Sequence, residues 1–134
     1  MKYLLLGLLL LSLTYCTSKE QTHYTSGQSK NELMGTYTHS SFMYSYTLIL
    51  KDSSKYLTIE KSDIFSERTL GTWTISGKAV RLNPQKRINT LATDRRVVQE
   101  TSVTDSKEEV VIIETADALI ITSKNQNLKL EREK

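Results

Sequence analysis

Few residues in this chain have the chemistry of a reactive site. Cys16 is the only thiol, so it cannot close an intramolecular disulfide, and its place at the end of an apolar run suits covalent modification better than core packing. The soft-ligand candidates are His23, His39, Met34 and Met43. No paired carboxylate or thiol stands beside them at ligand spacing, so neither a metal nor any other cofactor is expected. The serines are numerous, but none sits in a Gly-x-Ser-x-Gly elbow and His39 has no acidic partner in sequence, so the chain is not expected to be an enzyme. Carboxylate pairs are defined in space, and a hydrolase would need such groups to converge in a cleft. What remains is aromatic. Tyr37, Tyr44, Tyr46 and Trp73 are candidates to line a pocket for a small apolar ligand or lipid, and the same side chains can instead fill a core.

The elements that would position them are strands. Phe42, Tyr44, Tyr46, Leu48 and Leu50 place a large apolar or aromatic side chain at every second position, the period of a half-buried strand. Further strands are expected at 55–60, 69–75, 78–82, 97–104, 109–114, 118–122 and 128–132, separated by polar turns such as Lys51-Asp52-Ser53-Ser54, Ser76-Gly77 and Ala116-Asp117. Short strands joined by tight turns predict an all-β fold, an antiparallel meander that closes into a barrel or folds into a sandwich. Pro84 to Ala92 fits two readings: a short helix with Pro84 near its first turn, or a loop running into a strand.

The first residues read as an address. Met1-Lys2-Tyr3 is a short positive segment, Leu4 to Leu13 is an apolar run too short for the about 20 residues of a membrane-spanning helix, and Thr14-Tyr15-Cys16 follows where processing belongs. Leu13-Thr14-Tyr15-Cys16 resembles the bacterial lipobox, which implies diacylglycerol on Cys16 and cleavage before it; Tyr15 stands where that pattern has a small residue. The expected organisation is a signal peptide over 1–15, a flexible Ser/Thr/Gln/Lys-rich tether over 16–31 and a β-barrel domain over 32–134. Thr17 is not the aspartate that resembles an inner-membrane retention signal, and Ser18-Lys19-Glu20 resembles the charged tag that sends lipoproteins to the cell surface in the Bacteroidetes. The resemblance implies a cell-envelope protein held at the outer membrane by palmitate-type acyl chains.

The most specific stretch, Gly71-Thr72-Trp73-Thr74-Ile75-Ser76-Gly77-Lys78-Ala79-Val80-Arg81-Leu82, reads as a hairpin. Trp73, Ile75, Val80 and Leu82 share a face, Gly71 permits close backbone approach, and Gly77 takes the turn. With Leu33-Met34-Gly35-Thr36-Tyr37 before it and the closing strands after it, this hairpin resembles small envelope lipoproteins with a lipocalin-like barrel, among them the copper-homeostasis and envelope-stress lipoproteins. Those carry a Cys-x-x-Cys where Thr38-His39-Ser40-Ser41 stands here, so the resemblance implies a barrel and no thiol chemistry.

Formal net charge is +3, too small to demand nucleic acid or anionic lipid as a partner. The charge is segregated, however. Lys78, Arg81, Lys86, Arg87, Arg95 and Arg96 face Asp94 alone over 78–96, and the next segment to Asp117 is as strongly acidic. Adjacent antiparallel strands of opposite sign would pair across the sheet. The other use of the basic stretch is a patch for lipopolysaccharide, an anionic glycan or a partner protein, with Lys86 and Arg87 as exposed loop contacts. The functional expectation is a non-enzymatic, membrane-anchored binding module, with a protein-interaction module on a filled barrel as the alternative.

Overall fold

The computed structural model describes residues 29–91, 97–103, 107–123 and 125–134. Cys16, His23, the expected signal peptide and most of the expected tether lie outside the described residues. The elements run α1 Lys30–Leu33, β1 Gly35–Ser41, β2 Tyr44–Leu50, β3 Lys55–Ser62, β4 Phe65–Ser76, β5 Ala79–Leu91, β6 Val97–Ser102, β7 Glu109–Thr115, β8 Ala118–Ser123 and β9 Gln126–Arg132. Every strand pairing is antiparallel, as hairpin-linked strands require. β1 pairs with both β2 and β9, and β5 with both β4 and β7, so eight strands close into the barrel β1-β2-β3-β4-β5-β7-β8-β9. The expected all-β meander barrel is the observed fold.

β6 stands outside that ring. The first part of β5 pairs with β7 (Ala79↔Ile112 to Leu82↔Glu109), whereas the second part pairs with β6 (Lys86↔Ser102 to Leu91↔Val97). The change of partner follows a β-bulge: Gly71 pairs with Pro84 and Leu70 with Lys86, leaving Gln85 as the extra residue. Pro84 has no N–H for the ladder and is tolerated in a strand at such an irregularity. Gly71 is required there. A Cβ on it would lie 2.0 Å from the Asn83 carbonyl oxygen and 2.7 Å from the Tyr56 ring.

This geometry corrects two expectations. Pro84 to Leu91 is neither helix nor loop but the continuation of β5, because cross-strand pairing with β4 and β6 outweighs the local helical spacing of Ile88 and Leu91. Lys86 and Arg87 are therefore strand residues, not loop residues. Phe42 also departs from its expected place in the second strand. Phe42 and Met43 form the turn between Ser41 and Tyr44; Met43 has φ 65° and Phe42 is 91% exposed, beyond the reach of the core.

One half of the interior is packed solid. Leu33, Tyr37, Leu48, Trp73, Val80, Leu82, Val111, Leu119, Ile121 and Leu130 are fully buried, as expected when a small barrel is filled by its own side chains. α1 stoppers this end. Its N-terminus carries a capping box between Ser29 and Glu32, and it begins two residues inside the expected tether. Lys30 Nζ hydrogen-bonds Ser54 Oγ and lies 4.8 Å from the centre of the Trp73 ring, whose Nε1 donates to the Lys51 carbonyl at 3.0 Å. Tyr37 Oη lies 2.9 Å from the carbonyl oxygens of both Leu33 and Ala116 and accepts from Arg132 Nη2 at 2.7 Å. Arg132 also donates to the carbonyls of Glu32 and Met34, tying α1, β1 and β9 together.

The outer surface carries the anticipated charge pairing, with Arg81 2.9 Å from Glu108 and Lys86 2.5 Å from Glu100. Such exposed pairs are worth about 0.2–1 kcal/mol each, so they adjust register rather than hold the barrel.

Steric contact at Gly71 and backbone conformation at Gly77 (φ 60°, open space around its Cα) make separable demands. Gly71→Ala is expected to destabilise by about 3 kcal/mol or more, the upper end of overpacking costs. Gly77→Ala should cost only about 1–2 kcal/mol for the left-handed residue. Urea unfolding midpoints of the two variants measure the difference, and equal losses would contradict the bulge contact.

Candidate binding site at the barrel mouth

The inward face of the sheet changes character along its length. Following the cross-strand register, the row Leu50–Tyr56–Gly71–Pro84 is mostly apolar, the next row Leu48–Thr58–Thr69–Arg87 is mixed, and the third, Tyr46–Glu60–Glu67–Asn89, is polar. Alternation forces this: residues two apart on a strand share a face, so Glu60 follows Tyr56 and Thr58 inward, and Glu67 precedes Thr69, Gly71 and Trp73 inward. Glu109 faces the same interior opposite Leu82, two residues before the fully buried Val111. The bulge at Gln85 matters here. Without the extra residue the parity that buries Val80, Leu82 and Pro84 would carry Lys86 inward; with it, Arg87 shares the face of Thr69.

These rows surround a cavity of about 270 Å³ at the mouth, lined by Tyr46, Thr58, Glu60, Glu67, Thr69, Pro84, Arg87, Lys107, Glu108, Glu109 and Ser123. A second recess of about 260 Å³ adjoins it through Ser123 and is lined by His39, Ser41, Tyr44, Gln126 and Leu128. His39 Nδ1 lies 3.1 Å from the Lys129 carbonyl; when the ring is neutral this places its proton on Nδ1 and leaves Nε2 an acceptor.

The electrostatics are those of carboxylates crowded in a partly dry space. Arg87 Nε is 3.3 Å from Glu67 Oε1, an ion pair whose N–H is not aligned as a hydrogen bond. Burial pushes the Glu109 carboxyl above the ordinary carboxylate range; Arg87 opposes the rise, and Glu60 and Glu67 add to it. The Tyr46 phenol is held well above its ordinary value by burial, with Glu109 contributing, although Thr58 hydrogen-bonds it. The Tyr56 phenol is raised by burial and by Glu109, with Arg87 partly offsetting. Tyr56 is 2% exposed, and its hydroxyl has no hydrogen-bond partner among the described residues.

The four aromatic candidates do not share one pocket. Tyr46 lines the main cavity and Tyr44 the adjoining recess, while Tyr37 and Trp73 are built into the stoppered end. Lys86 and Arg87 point to opposite faces, Lys86 outward to Glu100 and Arg87 into the mouth, so they do not form one surface patch. Met34 packs against the core and Met43 lies in an exposed turn. Among the described residues no group of three or more His, Cys, Asp or Glu side chains is placed to hold a metal ion. Glu60, Glu67 and Glu109, with Thr58 and Thr69, are the site residues that sequence reasoning missed. Their signal was present as parity: each glutamate stands two or four positions from a buried residue of its own strand.

No family model matches the chain, and no curated protein matches it. Among solved structures the chain is similar to a streptavidin-like protein from Bacteroides eggerthii, with a TM-score of 0.48 and 12% sequence identity, covering 74% of this chain and 77% of that chain.

A carboxyl whose folded-state pKa is raised binds its proton more tightly in the folded than in the unfolded chain. The cost of ionising Glu109 is thus absent below the ordinary carboxylate range, grows as pH rises through the raised pKa, and is fully present above it. Glu109→Gln removes that cost. The variant is expected to be more stable than the parent near neutral pH, with the gap closing below about pH 4. Denaturant midpoints across that range check it, and a gap that does not depend on pH would show that Glu109 is not buried as described.

Proposed function

We propose that this protein is a non-enzymatic binding module of the bacterial envelope, anchored through lipid on Cys16, that takes a small polar ligand into the open half of its barrel. The observation that carries the reading is the division of the interior: one end filled by aromatic and aliphatic side chains, the other an open cavity lined by Thr58, Thr69, Glu67, Arg87 and Glu109. A concave site with a rigid apolar floor and a few convergent polar groups is the usual form of a small-molecule site. Its volume is near the low end of the about 300–1,000 Å³ common for such sites, so the ligand is small. The lining turns the expectation of an apolar ligand toward a polar one, because an apolar guest would leave the carboxylates and Arg87 desolvated without partners.

The convergence of Glu60, Glu67 and Glu109 supports hydrolysis as a second reading, since acid and base carboxyls in different surroundings are what glycoside cleavage uses. The two readings differ in the fate of the bound molecule.

Native mass spectrometry of the protein purified from its own envelope should show a small molecule bound intact, and Thr69→Phe, which fills the cavity, should lose it while unfolding cooperatively. Absence of any bound species, together with no thermal shift from a chemically diverse small-molecule set, would refute the binding reading; turnover of the released molecule would favour the hydrolase. Separately, Cys16→Ser should abolish incorporation of labelled palmitate and move the protein from the detergent phase to the aqueous phase of a Triton X-114 partition. Unchanged partition would refute the anchor.

A further inference from the structure

We infer that two neighbouring hairpin tips on one side of the barrel mouth, carrying Phe42, Met43 and Ile64, insert into the lipid surface that holds the acyl group of Cys16. The inference rests on the reading of Cys16 as a lipid anchor and adds a second, non-covalent attachment at the other end of the barrel. Turns that meet water are ordinarily polar. Those at the stoppered end obey the rule: Lys51-Asp52-Ser53-Ser54 joins β2 to β3, Gly77-Lys78 joins β4 to β5, and Ala116-Asp117 joins β7 to β8. At the mouth the rule is broken on one side. Phe42 is 91% and Met43 56% exposed in the β1–β2 turn, and Ile64 is 64% exposed in the β3–β4 turn. Further round the rim the β8–β9 turn is polar again, with Asn125 and Gln126 exposed.

The two apolar tips form one patch. Tyr44 at the start of β2 pairs with Ser62 at the end of β3, so both turns leave adjacent strands at the same edge of the sheet. Met43 shares a shallow recess with Lys61, Ser62 and Asp63, and those three share the next recess with Ile64 and Phe65. Leu91, itself exposed, pairs with Phe65 and continues the apolar edge into β5. Single exposed apolar residues are ordinary, whereas large ones gathered on adjoining tips mark a surface that something apolar covers.

The length of chain before α1 identifies the cover as lipid. From Cys16 to Ser29, the cap of α1, the chain advances 13 residues, a reach of about 43–47 Å when extended. The rise of β1 and its turn, from Gly35 to Met43, is only about 26 Å. The chain is therefore long enough to run the height of the barrel and set both tips in the bilayer that holds Cys16. Tethering makes their insertion intramolecular, so a small apolar contact suffices. Lys61 and Asp63 between the tips cancel in charge, so the contact needs no anionic headgroup and is insensitive to salt.

Lipidation converts the only cysteine to a thioether, so Phe42→Cys, Ile64→Cys and, as a control in a stoppered-end turn, Ser53→Cys each give the lipidated protein one labelling site. In phosphatidylcholine vesicles, a polarity-sensitive nitrobenzoxadiazole label at 42 or 64 is expected to shift to the blue and be quenched by lipid carrying a nitroxide on its acyl chain. The label at 53 should do neither, and salt raised to about 1 M should change none of the three. Phe42→Ser should lower the inserted-to-free ratio of the label at 64 about tenfold or more, the scale of one large apolar side chain returned to water, with the urea midpoint unchanged. Tip labels no more quenched than the label at 53, or a label at 64 indifferent to Phe42→Ser, would overturn insertion and leave the anchor standing. Tip labels that stay in water on vesicles but become shielded as the detergent-solubilised protein is concentrated would give the patch to a second copy. Shielding only in native envelopes would give it to an envelope protein, and either result overturns the lipid. If mass spectrometry finds no acyl group on Cys16, both readings fall.

Discussion

The close approach of Gly71 to the Asn83 backbone is the constraint on which the rest of this barrel depends. With no Cβ at Gly71 and no N–H at Pro84, β4 and β5 can meet at a bulge that would be sterically closed to other residues. Three consequences follow from one extra residue. The β4–β5 ribbon bends so that β5 can pair with β7 and close the ring, its second part is released to pair with β6, and the inward parity of β5 changes so that Arg87 faces the mouth and Lys86 the solvent. A local backbone event thus sets both the closure of the fold and the electrostatics of the cavity.

The two ends of the barrel differ in how their buried polar groups are satisfied. At the stoppered end, Tyr37, Trp73 and Leu33 are buried and each polar group they bring is satisfied: the Tyr37 hydroxyl by Leu33, Ala116 and Arg132, the Trp73 indole by Lys51. The mouth is the reverse. It holds Glu109, whose ionisation is opposed by its burial and by Glu60 and Glu67. Like-charged carboxyls crowded in a partly buried space are destabilising. The filled half offsets that cost by burying Tyr37, Trp73 and the aliphatic side chains around them.

Much of the scaffold was legible because a strand with one buried face writes its orientation into every second residue. Trp73, Val80, Leu82, Val111, Leu119, Ile121, Leu128 and Leu130 all lie where alternation puts them, and Gly71 and Gly77 perform the roles their positions imply. Alternation misled where the chain turned: Phe42 continues the pattern of the second strand but lies in the turn before it. It also failed at Pro84, whose local signal favours a helix start, because the partners that make 84–91 a strand are supplied by β4 and β6.

By itself, the sequence determined the all-β class, most strand positions, the hydrophobic half of the interior and the opposite charge of neighbouring strands, since each rests on patterns within a few residues. The tertiary structure alone decided where the barrel closes and which polar residues the closure brings together. Glu60, Glu67, Arg87 and Glu109 come from four strands, and their meeting depends on strand register and on a single bulged residue, both products of long-range pairing that no local pattern encodes.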